Sequence, residues 1–242
     1  MTAVFLHGAP VTPVVWRPLI QHLPGTRAVT PNLPGFGTPL PSGFRPTMES
    51  FAEWFALELD ALEGPVDLVA QDWGALISLR VLADRPKSVR SWVLDASDLD
   101  EHFVWHESAR LFQSPEGDSI IEQVVSAPVD QRAALLRGAG VHEELAGTVA
   151  SVFDQTMGDA LLSLYRSATR IGAEWGPLID QIRGPGLVLD CGADPFRAPG
   201  SAARFAKRTG ATLAEQPELG HWWMLEDPGG IARLLEDFWA RL

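Results

Sequence analysis

The sequence predicts an α/β fold built on a parallel sheet with helices on both faces, and two observations carry that expectation. Short apolar runs that stop at turn residues alternate with longer segments of helical spacing, the pattern left by strands buried on both sides. The alternation is interrupted once, from Asp98 to Trp175, and then resumes.

The first run, Ala3 to Leu6, ends at His7-Gly8-Ala9-Pro10 and reads as a buried strand. Val14 to His22 is helical, and a weak strand follows near Ala28 to Thr30. Prolines at 24, 31, 34, 39, 41 and 46 then make a stiff, irregular surface segment. From Met48 to Leu62, apolar residues at Phe51, Trp54, Phe55, Leu59 and Leu62 give a helix with one buried face. Val66 to Ala70 is the next strand, Trp73 to Ala83 the next helix, closed by Asp84-Arg85-Pro86, and Ser91 to Leu94 another strand.

After the interruption come a strand at Gly186 to Cys191, a helix at Ala198 to Arg208, a strand at Ala211 to Glu215 and a closing helix at Gly230 to Leu242. The stretch between the blocks is helical and polar, with breaks at Pro115 and Pro128. A helical insert between parallel strands cannot extend the sheet. It must cover an edge or an end, and ligands bind at the carboxyl ends of such strands. It is therefore read as a cap: core over 1–97, cap over 98–175, core again over 176–242.

The composition narrows the function classes. A chain of 242 residues with 46% hydrophobic residues has enough apolar surface for one large domain. One cysteine excludes an intramolecular disulfide framework. A net charge of −12 disfavours nucleic acid and anionic membranes as partners. The N-terminus has no basic segment leading into a long apolar stretch, and nothing elsewhere reaches a membrane span, so a cytoplasmic location is expected. Gly35-Phe36-Gly37 follows prolines, not a strand that leads into a helix, so it is no phosphate loop.

The most informative residues are Ala70-Gln71-Asp72-Trp73-Gly74, between a predicted strand and a predicted helix. Their spacing, small-x-nucleophile-x-small, is that of a nucleophile elbow. The turn is too sharp for bulk at its flanks, and it thrusts residue 72 up from the sheet at the amino end of a helix, which stabilises negative charge. Capping alone would account for an Asp there but not for its small neighbours. No Ser has this setting: Ser78 lies within a helix, and Ser97 follows a strand without the glycines.

On these residues the chain resembles the α/β-hydrolase superfamily, in particular its branch with an aspartate nucleophile, the epoxide hydrolases and haloalkane dehalogenases. His7-Gly8-Ala9-Pro10 stands in place of the family's oxyanion loop, Asp194 follows a strand, and Gly220-His221-Trp222 precedes the last helix. The resemblance implies Asp72 as nucleophile, His221 as base, Asp194 as the acid that orients it, and the amides of Ala9 and Trp73 as oxyanion hole. Asp98 is the rival acid, because some dehalogenases place it after that strand. No cofactor or metal is implied. His102 and His106 are four residues apart near Asp98, Asp100 and Glu101, but the HExxH glutamate of a zinc site is missing.

A carboxylate displaces a leaving group at saturated carbon and forms an alkyl ester, which activated water then opens. The leaving group depends on the donors that face it. Epoxide hydrolases hold the ring oxygen with two tyrosines; here there is one, Tyr165, beside Arg166, so His102, His106 or a water would replace the second. Haloalkane dehalogenases cradle halide with the indole after the nucleophile, here Trp73, plus an Asn or a second Trp. The Asn position is Ala9, which leaves Trp105 or Trp175. The arginines of fluoroacetate dehalogenases are absent until Arg80.

The expectation ranks epoxide opening narrowly first and dehalogenation second, on a small neutral apolar substrate contacted by Tyr165, Trp73, His7 and Trp105. Gln71 replaces the His that commonly precedes the Asp in this branch. With the single tyrosine and Ala9, it leaves a third reading open, a non-covalent biosynthetic enzyme or small-molecule receptor. The family normally begins with an antiparallel strand pair, but here the first strand starts at Thr2, so a sheet of about six essentially parallel strands without that pair is expected, as either monomer or homodimer.

Overall fold

A computed structural model describes residues 1–84, 88–95 and 99–242. Six strands, β1 (Thr2–Leu6), β2 (Arg27–Val29), β3 (Val66–Gln71), β4 (Val89–Asp95), β5 (Gly186–Cys191) and β6 (Thr212–Gln216), form one sheet in the order β2-β1-β3-β4-β5-β6. Every pairing is parallel. Helices α1 (Arg17–Gln21), α2 (Met48–Asp60), α3 (Trp73–Asp84) and α10 (Ser201–Thr209) lie between strands, and α11 (Trp223–Glu226) and α12 (Pro228–Trp239) follow the last one. Among the described residues no helix is long and apolar enough to cross a membrane.

The central strands are buried except at Arg90 of β4, which is why they read as apolar runs. Asp67 is a buried acid within β3; its carboxylate accepts from Ser91 Oγ at 2.6 Å and from two Arg90 nitrogens at 2.7 and 2.9 Å. β2 is short and only half-buried at the sheet edge, which accounts for its weak signal. β6 runs one residue later than expected, over Thr212–Gln216.

Between β4 and β5 lie six helices: α4 (Glu107–Gln113), α5 (Glu116–Ser126), α6 (Val129–Gly138), α7 (Glu143–Val152), α8 (Gln155–Ser167) and α9 (Ile171–Trp175). A 3-10 turn, Gly176–Gln181, returns the chain to β5. The individual helices follow local signals, with Asp154 capping the amide of Met157 at 2.9 Å and Pro115 and Pro128 standing at the starts of α5 and α6.

One side chain gathers the insert. The guanidinium of Arg132 on α6 donates to the carbonyls of Val124, Val125 and Ala127 at the end of α5, and of Ala150 and Phe153 at the end of α7, at 2.7 to 3.1 Å. Those carbonyls have no further turn of helix to pair with, so the five donors close two helix ends at once. Arg132→Met is expected to cost about 3 kcal/mol, measured by urea unfolding. A loss below about 0.5 kcal/mol would show that water serves those carbonyls equally well.

Candidate active site

The strand-to-helix corner is as tight as its sequence demands. Asp72 has φ of 55°, the left-handed region, and is the one non-glycine residue with positive φ among those described. A Cβ on Gly74 would overlap the carbonyl oxygen of Leu6 and stand 2.6 Å from that of His7. A Cβ on Gly8 would overlap Asp72 Oδ1. Both glycines let the β1 and β3 loops close on one another. Ala9 N–H then reaches Asp72 Oδ1 at 2.8 Å.

Opposite this corner His221 approaches from the loop after β6. Its Nε2 lies 3.9 Å from Asp72 Oδ2, and its Nδ1 lies 2.9 Å from Asp194 Oδ2. Asp194 sits in the turn after β5, with its side chain wholly buried and its Oδ1 accepting from Phe196 N–H at 2.8 Å. The His221 ring is held edge-on by Phe196 and Trp222, at centroid distances of 4.9 and 5.0 Å. Sequence reasoning brings Asp72, His221, Asp194 and Ala9 to one site, and they converge there. Asp98, the rival acid, lies outside the described residues.

Burial raises the pKa of Asp72, against the opposing pull of His221 and the backbone N–H groups of Trp73 and Ala9. Burial also works against a charged His221, but the Asp194 hydrogen bond and charge, then Asp72 and Asp95, outweigh it and raise the imidazole pKa. Asp95, at the end of β4, accepts from Arg197 Nη1 at 2.7 Å and Trp223 Nε1 at 2.6 Å.

Two cavities meet at Asp72 and His221. One, of about 170 Å³, is apolar and roofed by the insert, including Ile121, Val124, Leu136 and Phe153. The other, of about 220 Å³, is more polar and includes Asp100, His102, Arg197 and Arg204. His106 and Phe196, 4.8 Å apart, line both.

Known proteins place this arrangement. Residues 3–234 match the family model described as "Alpha/beta hydrolase family". The chain belongs to that family. Among curated relatives, a haloalkane dehalogenase of Mesorhizobium japonicum is 36% identical over 90 residues, 36% of this chain and 29% of that protein. Another, from Agrobacterium fabrum, is 32% identical over 130 residues, 50% of this chain and 42% of the relative. The matched stretches thus span less than half of either relative. The crystal structure of haloalkane dehalogenase DbeA from Bradyrhizobium elkani superposes with a TM-score of 0.76 at 22% identity, over 100% of this chain and 91% of that one, a likeness of fold.

Within this alpha/beta hydrolase the expected leaving-group donors divide. Tyr165, on α8, lines the apolar cavity, and burial together with the Asp72 charge raises its pKa, so its hydroxyl keeps its proton. Trp73, an expected contact, is wholly buried against Tyr165 and Trp105 and lines neither cavity. Trp105 faces the polar cavity, yet its N–H donates to Ala168 O at 2.8 Å. Trp175 donates to Glu49 at 2.6 Å. Neither indole N–H of the insert is therefore free to hold a leaving group. Arg166 is turned outward to Asp118 at 2.7 Å.

His106 gains what those lose. Its Nδ1 accepts from Ala109 N–H at 3.3 Å as the N-cap of α4, and burial lowers its pKa, so the neutral ring carries its proton on Nε2. His102 is exposed at the edge of the polar cavity.

His7, like Trp73, is a correction among the expected contacts. It is wholly buried and lines neither cavity; Nδ1–H meets Gly8 O at 2.7 Å and Nε2 accepts from Leu33 N–H at 3.1 Å. Its ring ties the loop after β1 to the proline-rich segment. Burial depresses its pKa to about 4, while the unfolded chain binds a proton near 6.5. Between those values the unfolded state holds more protons, so stability falls as pH drops from 6.5 and the loss is complete below 4. The contribution is about 3 kcal/mol. Urea unfolding at successive pH values is expected to show a shallower slope in that window for His7→Gln than for the parent. Equal slopes would mean that His7 takes up its proton without unfolding.

Phe196, Trp222 and Gln71 are site residues that sequence reasoning did not place. Phe196 and Trp222 sit two residues after Asp194 and one after His221, and that adjacency is the only signal they give.

Proposed function

We propose that this protein is a hydrolase that displaces halide from a saturated carbon of a small apolar substrate, through an alkyl ester on Asp72. One observation carries the reading: Ala9 N–H engages Oδ1 of a carboxylate held on a left-handed corner, while Oδ2 faces the imidazole and the apolar cavity. Oδ2 is the attacking atom. It forms the bond to carbon as the halide departs with the bonding pair. Oδ1 becomes the ester carbonyl, already in place for its oxyanion to be held when water attacks. His221 takes the proton of that water, with Asp194 on Nδ1 to orient the ring and balance its charge. The helical insert acts as the cap that keeps bulk water from the ester.

The curated relatives favour halide over the epoxide that the sequence alone ranked first. Tyr165 lines the apolar cavity as a donor to the leaving group. A specific observation keeps the epoxide reading as the second: Tyr165 and His106, whose Nε2 carries the ring proton, both line the apolar cavity, so His106 can stand for the missing second tyrosine.

Single turnover in heavy-oxygen water, with haloalkanes and styrene oxide-like epoxides offered in parallel, tests both. Label is expected in the Asp72 carboxylate, with halide released. Diol release instead would select the second reading. Full turnover by Asp72→Ala would end the covalent mechanism for either substrate.

A further inference from the structure

Gln71 closes β3 immediately before the corner and is wholly buried. Its Nε2 lies 2.8 Å from His221 Nε2 and 3.2 Å from the main-chain oxygen of His221. A carbonyl oxygen only accepts, so the amide nitrogen must face it. With the amide reversed, Oε1 would oppose that carbonyl, and the NH2 group would occupy a buried position where Oε1 now has no partner. The hydrogen-bond network thereby settles the amide orientation. The second amide hydrogen then points at the ring, which can accept it only through a lone pair on Nε2. Nδ1 faces the Asp194 carboxylate, which only accepts, and therefore carries the ring proton.

We infer that Gln71 is a positioning residue that fixes His221 as the Nδ1–H tautomer, lone pair on Nε2, and works against protonation of that nitrogen. The inference deepens the proposed function and rests on its reading of His221 as the base. The charged groups that bear on the ring favour the imidazolium: Asp194 from the turn after β5, Asp72 from the corner and Asp95 from β4. His106, from the start of α4, is the nearby titratable group that opposes it, and it is held neutral as a cap. These three carboxylates raise the imidazole pKa. Gln71 places an N–H where the imidazolium Nε2–H would have to go, so the proton is held only after the ring parts from the amide.

The reaction explains the use of such a group. Halide displacement followed by ester hydrolysis converts R–X and water into R–OH, X⁻ and one proton. The water oxygen bonds to Asp72 Cγ, the alkyl C–O bond stays with the alcohol, and the alcohol takes up one of the two water protons. The other remains with the enzyme and must leave each cycle. A base biased against its protonated form returns to the neutral state; epoxide opening releases no net proton and has no such need.

The test is ring-nitrogen NMR of the substrate-free full chain, with the His221 signals assigned by their loss in His221→Gln. At pH 9 Nε2 is expected as an unprotonated, hydrogen-bonded nitrogen and Nδ1 as the protonated one. Gln71→Leu is expected to raise the titration midpoint of His221 by about one unit, and Gln71→Glu, which offers a carboxylate to the imidazolium, by about two. The acid limb of ester hydrolysis moves with them. A protonated Nε2 in the parent at pH 9, or midpoints unchanged in both variants, overturns the inference. Gln71→Glu nearly preserves shape, so it and the parent tautomer decide the matter even if the Leu variant does not fold. No measurement of the tautomer needs turnover: label that fails to enter Asp72 removes the proposed function, whereas an unmoved midpoint removes only the role of Gln71.

Discussion

Replacing His221 with Gln is expected to stop the reaction half-way, with the substrate's alkyl group left on Asp72. The two halves of the proposed chemistry need different atoms. Attack on carbon uses Asp72 Oδ2, whose partner oxygen is already held by Ala9 N–H at 2.8 Å, and needs no base. Hydrolysis of the ester needs a proton acceptor near Cγ, and His221 Nε2, 3.9 Å from Oδ2, takes that place once its ring parts from the Gln71 amide. Glutamine fills much of the same volume between Phe196 and Trp222 but has no basic nitrogen. Loss of a general base costs about 10²- to 10⁴-fold, so halide release should become a burst of one equivalent per chain. Intact-protein mass spectrometry checks this: an added alkyl mass on the peptide that contains Asp72 is the expected result. A variant that turns over steadily, with no adduct, would assign the base to another group, with His106 the first to examine.

Gly74→Ala is expected to be the most damaging small substitution in the core. The added methyl group would overlap the backbone oxygen of Leu6 and come within 2.6 Å of that of His7, and backbone in a buried strand has nowhere to go. A loss of at least about 3 kcal/mol follows from such overpacking, a large share of the 5 to 15 kcal/mol typical of a domain. Gly8→Ala differs in kind: its methyl group meets the Asp72 carboxylate, so activity should fall more than stability. Gly147, in α7, faces open space, and there Ala should stabilise by about 0.5 to 1 kcal/mol because it favours the helix. Urea midpoints of the three variants check the order. Equal midpoints for Gly74→Ala and Gly147→Ala would show that the two loops do not close as described.

What the sequence revealed and what it hid follow from the range of each interaction. β3 and β4 were legible because strands covered on both faces must be apolar along their length, and the corner was legible because its small residues are neighbours in the chain. Asp194 and His221 were singled out through the resemblance to the α/β-hydrolase superfamily, which expects an acid after a late strand and a His before the last helix. The free donors were not legible. Whether Trp105 or Trp175 offers its N–H depends on Ala168 and Glu49, which lie 63 and 126 positions away. Gln71 meets a ring 150 positions later, and Arg132 collects carbonyls from two other helices, so neither role leaves a local pattern. Likewise Gly186 is small because it pairs with Trp92, whose ring occupies the space a Cβ would need.

The left-handed backbone at Asp72 has an evolutionary side. An L-residue in that region lacks the ease with which glycine adopts it, a difference on the order of 1 kcal/mol, and this one also buries a charge. Drift toward a sturdier molecule would therefore push this position to glycine and erase the carboxylate. Among the described residues an acid thus holds the one left-handed position not given to glycine, and the proposed attack by Asp72 supplies a reason for it that packing does not.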